Sequence, residues 1–161
     1  MLHRSRWVTA LVIAGMSTAA AALTAQQSPP RLAKNTVFAE VTFLLLVGNV
    51  SVNYERQLNE WLSARVGVGA GYVWVVTSGY GGSGVLGMLH YSTPRSEHKF
   101  EAGLGASYVS TGPYDPGARV YPSVTLGYRH QPAQGGFVFR AGANWTYLYG
   151  APFQVSFGHA F

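Results

Sequence analysis

The sequence predicts an all-β fold, an eight-stranded antiparallel up-and-down β-barrel. From Thr36 onward the apolar residues recur with a period of two, and no stripe at the spacing of a helix is sustained. Turn-forming residues interrupt this pattern at near-regular intervals, and the resulting number of strands is even, as such a barrel requires. The predicted strands span residues 36–46, 50–57, 62–75, 84–92, 98–110, 119–130, 136–147 and 151–161.

Length and composition indicate one domain without thiol chemistry. The chain has 161 residues, of which 20 are Gly and none is Cys, and charged residues make up 11%. The absence of Cys excludes a disulfide scaffold, a thiolate metal site and a cysteine nucleophile. A glycine-rich, charge-poor composition is unusual for a soluble enzyme, because charged residues normally make up about 25% of such proteins.

The charge distribution argues against a nucleic-acid partner. The formal net charge is +5, and the basic residues are scattered singly between Arg31 and Arg140. A protein that binds nucleic acid concentrates Lys and Arg on one face. No nucleic-acid binding is therefore expected.

The first residues have the pattern of a secretory signal peptide. A basic start that includes Arg4 and Arg6 precedes an apolar stretch, with cleavage expected between Ala22 and Ala25. A membrane anchor is the competing interpretation, but this stretch is short for one and contains Ser and Thr. The predicted organisation is a signal peptide at 1–25, a short periplasmic linker at 26–35 and a barrel at 36–161.

The alternation of residues indicates which face of each strand is apolar. In the last strand Phe153, Val155, Phe157 and Phe161 share one face, and the opposite face is small and polar. The third, fifth and seventh strands repeat this pattern, with Gly, Ser and a few charged residues on the second face. A soluble sandwich would carry Lys, Glu, Thr and Asp on its wet face, whereas glycine and serine fit the narrow lumen of a small barrel. The apolar faces therefore point outward, which predicts a transmembrane barrel.

Six charged residues are predicted to form a cluster inside the lumen. The inward set includes Glu40 only if Val37, Ala39, Val41 and Phe43 point outward in the first strand, which is apolar on both faces near its end. Charges in a confined interior are costly unless they are paired. The predicted lumen charges are Glu40, Glu55, Arg65, Glu101, Arg129 and Arg140.

Two interpretations of these lumen charges stay open. Glu55 and Arg65 are expected to pair across the turn that joins the second and third strands. The cluster is either a plug that stiffens the barrel or a gated polar path for ions or small solutes.

Two motifs carry alternative chemistry. The segment 79–84 matches GxGxxG, but no helix follows it to hold a pyrophosphate, so we expect a loop there and no dinucleotide cofactor. His90 and Ser92 are two residues apart and could form the pair of a lipid-cleaving barrel, although no orienting acid is evident; the simpler interpretation is a histidine at the membrane interface. The five histidines lack metal-ligand spacing, so neither a metal nor any other cofactor is expected.

Several segments resemble the small outer-membrane β-barrel proteins of Gram-negative bacteria. The resemblance extends over about residues 50–161 and implies export, assembly and fold, without supplying catalytic residues. The segments that carry it are 51–56, 63–69, 98–105, 127–132, 135–142 and 155–161.

The C-terminus carries the most specific part of the resemblance. A terminal Phe after alternating apolar residues resembles the signal that the outer-membrane assembly machinery recognises, and Phe153, Val155, Phe157 and Phe161 fit it. His159 departs from the apolar residue usual at its position. The resemblance implies outer-membrane lipid and this machinery as partners, for a chain expected to be a monomer.

The expected role is structural or one of surface interaction, without catalysis. It would be carried by outward loops at 43–49, 76–83 and 111–118 and by a tight turn near Gly150. The alternatives are a narrow channel for ions or small solutes, an outer-membrane lipid-modifying enzyme and a soluble carrier barrel with an apolar lumen.

Overall fold

The computed structural model describes residues 33–161 except 45–46, 76–77, 94–96, 112–118 and 147–151. Eight strands form one closed antiparallel barrel, in which each strand pairs with the next and the last pairs with the first. This confirms the predicted fold class. In the described part of the chain, no helix is long and apolar enough to cross a membrane. The strands are β1 (Asn35–Leu44), β2 (Val47–Gln57), β3 (Leu62–Val75), β4 (Ser78–Ser92), β5 (His98–Thr111), β6 (Arg119–His130), β7 (Gly136–Thr146) and β8 (Phe153–Ala160).

The largest departure from the sequence prediction is the start of β4. The glycine-rich residues 78–83, predicted as a loop, pair with β3 in a register that runs from Val75 opposite Ser78 to Leu62 opposite Tyr91. The glycines of this segment lie within a strand and therefore do not mark a turn.

The predicted outward loops are wrong wherever strands replace them. The loop at 43–49 is strand except at 45–46, and the loop at 76–83 is strand except at 76–77. Thr111 closes β5, and the rest of the predicted third loop, together with the turn near Gly150, lies outside the described residues.

The distribution of polar and apolar residues is the inverse of that in a soluble domain. Among the described residues, 16 buried residues are polar or charged and five are hydrophobic. Most of the large apolar side chains point away from the lumen and are exposed, including Val68 (61% exposed), Leu104 (66%) and Leu126 (63%). Because a soluble barrel would bury such residues, the outward apolar faces predicted from the sequence are those of the folded chain.

Aromatic residues flank the apolar band at both ends of the barrel. At the end that holds the chain termini, Trp61 stacks on Tyr91 with ring centroids 5.8 Å apart. At the opposite end Phe43 of β1 and Phe153 of β8 are 6.3 Å apart, and Tyr72 is exposed. Rings in these positions are typical of the two interfaces of a membrane-spanning barrel.

The lumen face depends on glycine because strands of so small a barrel approach one another closely. A Cβ atom at Gly105 or Gly142 would overlap a backbone carbonyl oxygen of the neighbouring strand, Gly87 O or Leu126 O respectively. Gly87 itself points outward, and a Cβ there would meet nothing within 4 Å. Glycine at these two inward positions therefore allows neighbouring strands to approach closely, whereas the outward Gly87 has no close neighbour on its free side.

The barrel closes at its terminal end through backbone contacts. Asn35 and Phe161 exchange two hydrogen bonds of 3.0 and 2.8 Å, and Ala33 donates to the carbonyl of Ala133 at 3.1 Å. Gly135 and Gly136 have φ angles of 95° and 118°, a left-handed conformation that glycine adopts without strain. The tight β6–β7 turn thus lies against the ends of β1 and β8.

We expect Gly105→Ala to lower the free energy of unfolding by about 1–3 kcal/mol, because the new methyl group has no space. The matched variant Gly87→Ala should leave stability within about 1 kcal/mol of the parent, since its methyl group meets open space. Urea unfolding of the detergent-solubilised protein, followed by tryptophan fluorescence, measures both. Equal losses in the two variants would contradict the steric role of the inward glycine.

Candidate functional site: the lumen charge cluster

The six predicted lumen charges all lie inside the barrel and are 1–5% exposed. They come from β1, β2, β3, β5, β6 and β7, so their side chains converge from around the whole wall. We call them the lumen cluster: Glu40, Glu55, Arg65, Glu101, Arg129 and Arg140.

Glu55 lies at the centre of the lumen cluster. One of its carboxylate oxygens accepts a hydrogen bond from Arg129 and the other accepts one from Arg140. Charge-assisted bonds of this kind are the strong ones in proteins. Glu55 thereby links β2 to β6 and β7 across the lumen.

Arg65 pairs with a different acid from the one predicted. Its backbone position is directly opposite Glu55, as expected, but its guanidinium donates to Glu40 Oε1 at 2.6 Å and to Asn53 Oδ1 at 3.0 Å. The predicted Glu55–Arg65 pair is therefore wrong. In a closed barrel a long inward side chain reaches beyond its register neighbour, and Glu55 is already held by the two arginines from the far wall.

Glu101 completes the charge balance of the lumen cluster. Its two oxygens lie 3.7 Å from Arg129 Nη1 and from Arg140 Nε. These distances are too long for hydrogen bonds but within ion-pair range. With Glu101 included, three negative charges face three positive charges, which lowers the cost of burying them.

Phe38 is the main lumen residue that sequence reasoning missed. It is 1% exposed, and its ring centroid lies 4.9 Å from the Arg65 guanidinium carbon and 4.3 Å from that of Arg140. Contacts at these distances between a guanidinium and an aromatic ring are favourable cation–π interactions. The signal was available, since the same parity that turns Glu40 inward also turns Phe38 inward.

His90 belongs to this interior and not to the membrane interface, so the interfacial interpretation is wrong. The ring is 1% exposed, with Nδ1 3.4 Å from Glu55 Oε2 and Nε2 3.2 Å from Thr125 Oγ1. A carboxylate only accepts, so in the neutral ring Nδ1 carries the proton and Nε2 accepts from the threonine hydroxyl. A side chain at Gly103 would overlap this ring. The acid that the sequence did not reveal is Glu55, which comes from another strand.

The lumen cluster fills the terminal half of the barrel. Arg129 lies one residue from the end of β6, and Glu55 two residues from the end of β2. Towards the opposite end the inward positions of β3 and β4 are mostly glycine, including Gly69, Gly71 and Gly84. The two halves of the lumen therefore differ: one is packed with charged side chains and the other is sparsely filled.

The C-terminal residues predicted as an assembly signal lie on the outer face of β8 and just beyond it. Phe153, Phe157 and Phe161 are 54–60% exposed, and Val155 between them is half-buried. β8 itself is paired on both sides, with β1 and with β7. The apolar face of this strand is thus continuous with the outer surface of the barrel.

Comparison with solved structures places the fold among membrane barrels. A transmembrane β-barrel of de novo design superposes with a TM-score of 0.54 at 16% identity, over 85% of this chain and 98% of that one. The N-terminal β-barrel domain of Pseudomonas aeruginosa OprF superposes with a TM-score of 0.55 at 12% identity, over 81% and 97%. No protein-family model matches the chain, and no curated protein sequence matches it either. The chain therefore resembles transmembrane barrels in fold.

We expect Glu55→Gln to lower the free energy of unfolding by about 3–5 kcal/mol, because it removes the carboxylate to which both Arg129 and Arg140 donate hydrogen bonds. The exposed control Glu97→Gln should change stability by less than about 0.5 kcal/mol. Urea titration of both variants measures the difference. In the double variant Glu55→Gln with Arg140→Gln the loss should be smaller than the sum of the single losses, and strict additivity would contradict a direct pair.

Proposed function

We propose that this protein is an integral outer-membrane β-barrel with a structural or surface-interaction role and no catalytic activity. The observation that carries the proposal is the inverted distribution of residues, with a charged and polar interior inside an apolar outer wall. Such a wall is stable only where hydrocarbon surrounds it, because in water it would expose one continuous apolar surface.

Three further features support the membrane location. Aromatic rings lie at both ends of the apolar band, at the levels where a membrane has its interfaces. The two solved structures compared above are β-barrels, and one of them is a transmembrane design. The sequence has a secretory leader pattern and a C-terminus that resembles the assembly signal of outer-membrane proteins. These features agree on export followed by insertion, with both termini in the periplasm.

The geometry argues against the lipid-modifying enzyme. His90 and Ser92 are 1% and 4% exposed and face the lumen, so neither contacts the outer wall where lipid would lie. The hydroxyl beside His90 Nε2 belongs to Thr125, which is 2% exposed, and the carboxylate beside Nδ1 also holds two arginines. This arrangement positions the ring within the plug and presents no nucleophile to a substrate.

The geometry also argues against an open channel. Phe38, Glu55, Arg65 and Arg140 are each 1% exposed and occupy the same half of the lumen. Their mutual pairing makes this half a packed plug, which is the structural alternative for the lumen cluster. The proposed role is therefore that of a membrane-embedded barrel without transport through its lumen.

Fractionation of cells that express the full chain tests the location. We expect the protein in the outer-membrane fraction, and we expect its unboiled band to migrate faster on an SDS gel than its boiled band, because a closed barrel resists detergent. A soluble periplasmic band without a heat shift would overturn the proposal.

We expect Leu104→Arg to destabilise the inserted barrel by about 2–4 kcal/mol, because Leu104 lies on the outer wall in the middle of β5. The control Leu58→Arg places the same charge in the β2–β3 turn, at the end of the barrel that holds the chain termini. There we expect the free energy of unfolding to change by less than about 1 kcal/mol. Urea unfolding in lipid vesicles measures both. A similar loss at both sites would argue against a hydrocarbon environment at Leu104.

If the lumen cluster is a plug, the protein should carry no current in planar bilayers. The parent protein should show no discrete conductance, because charged and aromatic side chains fill one half of the lumen. Steady single-channel currents from the parent, lost in Arg65→Ala or Arg140→Ala, would instead support the solute channel.

A further inference from the structure

The half of the lumen away from the termini contains a partly open cavity of about 170 Å³. Its wall includes the inward glycines Gly67, Gly69 and Gly71 of β3 and Gly82 and Gly84 of β4. The interior of an eight-stranded barrel holds either its own side chains or one small ligand. A protein cavity of about 150 Å³ accommodates benzene, so this space is sufficient for a compact organic molecule.

Polar atoms without partners border this cavity. Glu40 Oε2, Asn144 Oδ1 and Thr146 Oγ1 are buried and have no hydrogen-bond partner among the described residues, and all three residues line the cavity. Glu40 is only 3% exposed. Leaving a buried carboxylate oxygen without a donor is costly, which favours a ligand that supplies one.

We propose that this cavity binds a small organic ammonium compound with a compact apolar body. An ammonium group carries donors and no acceptor, which matches a border of carboxylate, amide and hydroxyl oxygens. Arg65 occupies Glu40 Oε1 at 2.6 Å, so Oε2 is the oxygen that faces the ligand. The wall also contains the polar side chains of Asn49, Ser51 and Tyr121, but most of its surface is apolar and includes Leu86, which fits an apolar body.

Other ligand classes fit less well. An anion would meet the carboxylate of Glu40, and no Lys or Arg is among the described residues that line the cavity. Calcium and magnesium are held in proteins mainly by carboxylate oxygens, and Glu40 is the single carboxylate among the described residues that line this space. The described residues also contain no group of three or more His, Cys, Asp or Glu that could hold a metal ion.

The test uses the full chain, expressed in cells, purified in detergent and labelled for NMR, with benzylammonium as the probe. Benzyl alcohol and toluene are matched probes that keep the ring and lose first the charge and then the donor. We expect benzylammonium to shift the amide signals of inward residues such as Glu40, Gly69 and Thr146 at concentrations about tenfold lower than benzyl alcohol.

One matched pair of variants and two single variants test where the probe binds and what it contacts. Thr42→Phe fills the cavity from β1 and should abolish binding, whereas Val41→Phe adds the same ring to the outer wall and should leave binding unchanged. Glu40→Gln should weaken benzylammonium about tenfold and benzyl alcohol less than about twofold. Thr146→Val, which keeps the shape and removes the hydroxyl, should weaken benzylammonium about fivefold.

The heat shift on a gel verifies that each variant folds. If Glu40→Gln fails to fold, Thr42→Phe and Thr146→Val decide the question. Shifts confined to outward residues would show that the probe only enters the micelle, and binding that survives Thr42→Phe would place the probe elsewhere. Either result overturns the proposal, as would equal affinity for benzylammonium and toluene.

Discussion

The constraint on which the rest of the structure depends is the narrowness of a closed eight-stranded lumen. Such an interior has room for few side chains and little solvent, so every charge placed there needs a partner from another strand. The lumen cluster satisfies this requirement with three acids and three arginines that reach across the lumen from six strands. The same narrowness explains the inward glycines, because a Cβ at several of these positions would overlap the next strand.

The pairing within the cluster also explains why so many charged groups are tolerated so far from water. Glu55 accepts from two arginines, Arg65 has Glu40 and Asn53, and Phe38 lies against two guanidiniums. Each guanidinium therefore contacts a carboxylate, and those of Arg65 and Arg140 also contact the ring of Phe38. The lumen cluster is a network in which one acid, Glu55, contacts arginines of two other strands.

The sequence was sufficient for the fold class, the outward and inward faces and the membership of the lumen cluster, because all three follow from the period of two along each strand. It was insufficient for the start of β4, since glycine occurs both in turns and in strands. Residues 78–83 are part of a strand. It was also insufficient for the partner of Arg65 and the position of His90. Both depend on which inward side chains meet across the barrel, and a pattern along one strand carries no information about contacts between distant strands.

The seam between β1 and β8 has a consequence for how the chain folds. It joins Thr36 to Ala160 and Asn35 to Phe161, so it pairs the first and last strands in sequence. Bringing together ends that are so far apart in sequence has a loop-closure entropy cost, which the contacts across the seam must offset. Without β8, one edge of β1 would be unpaired, and the acids and arginines of the lumen would be open to water. The C-terminal strand therefore both covers the edge of β1 and completes the wall around the lumen charges.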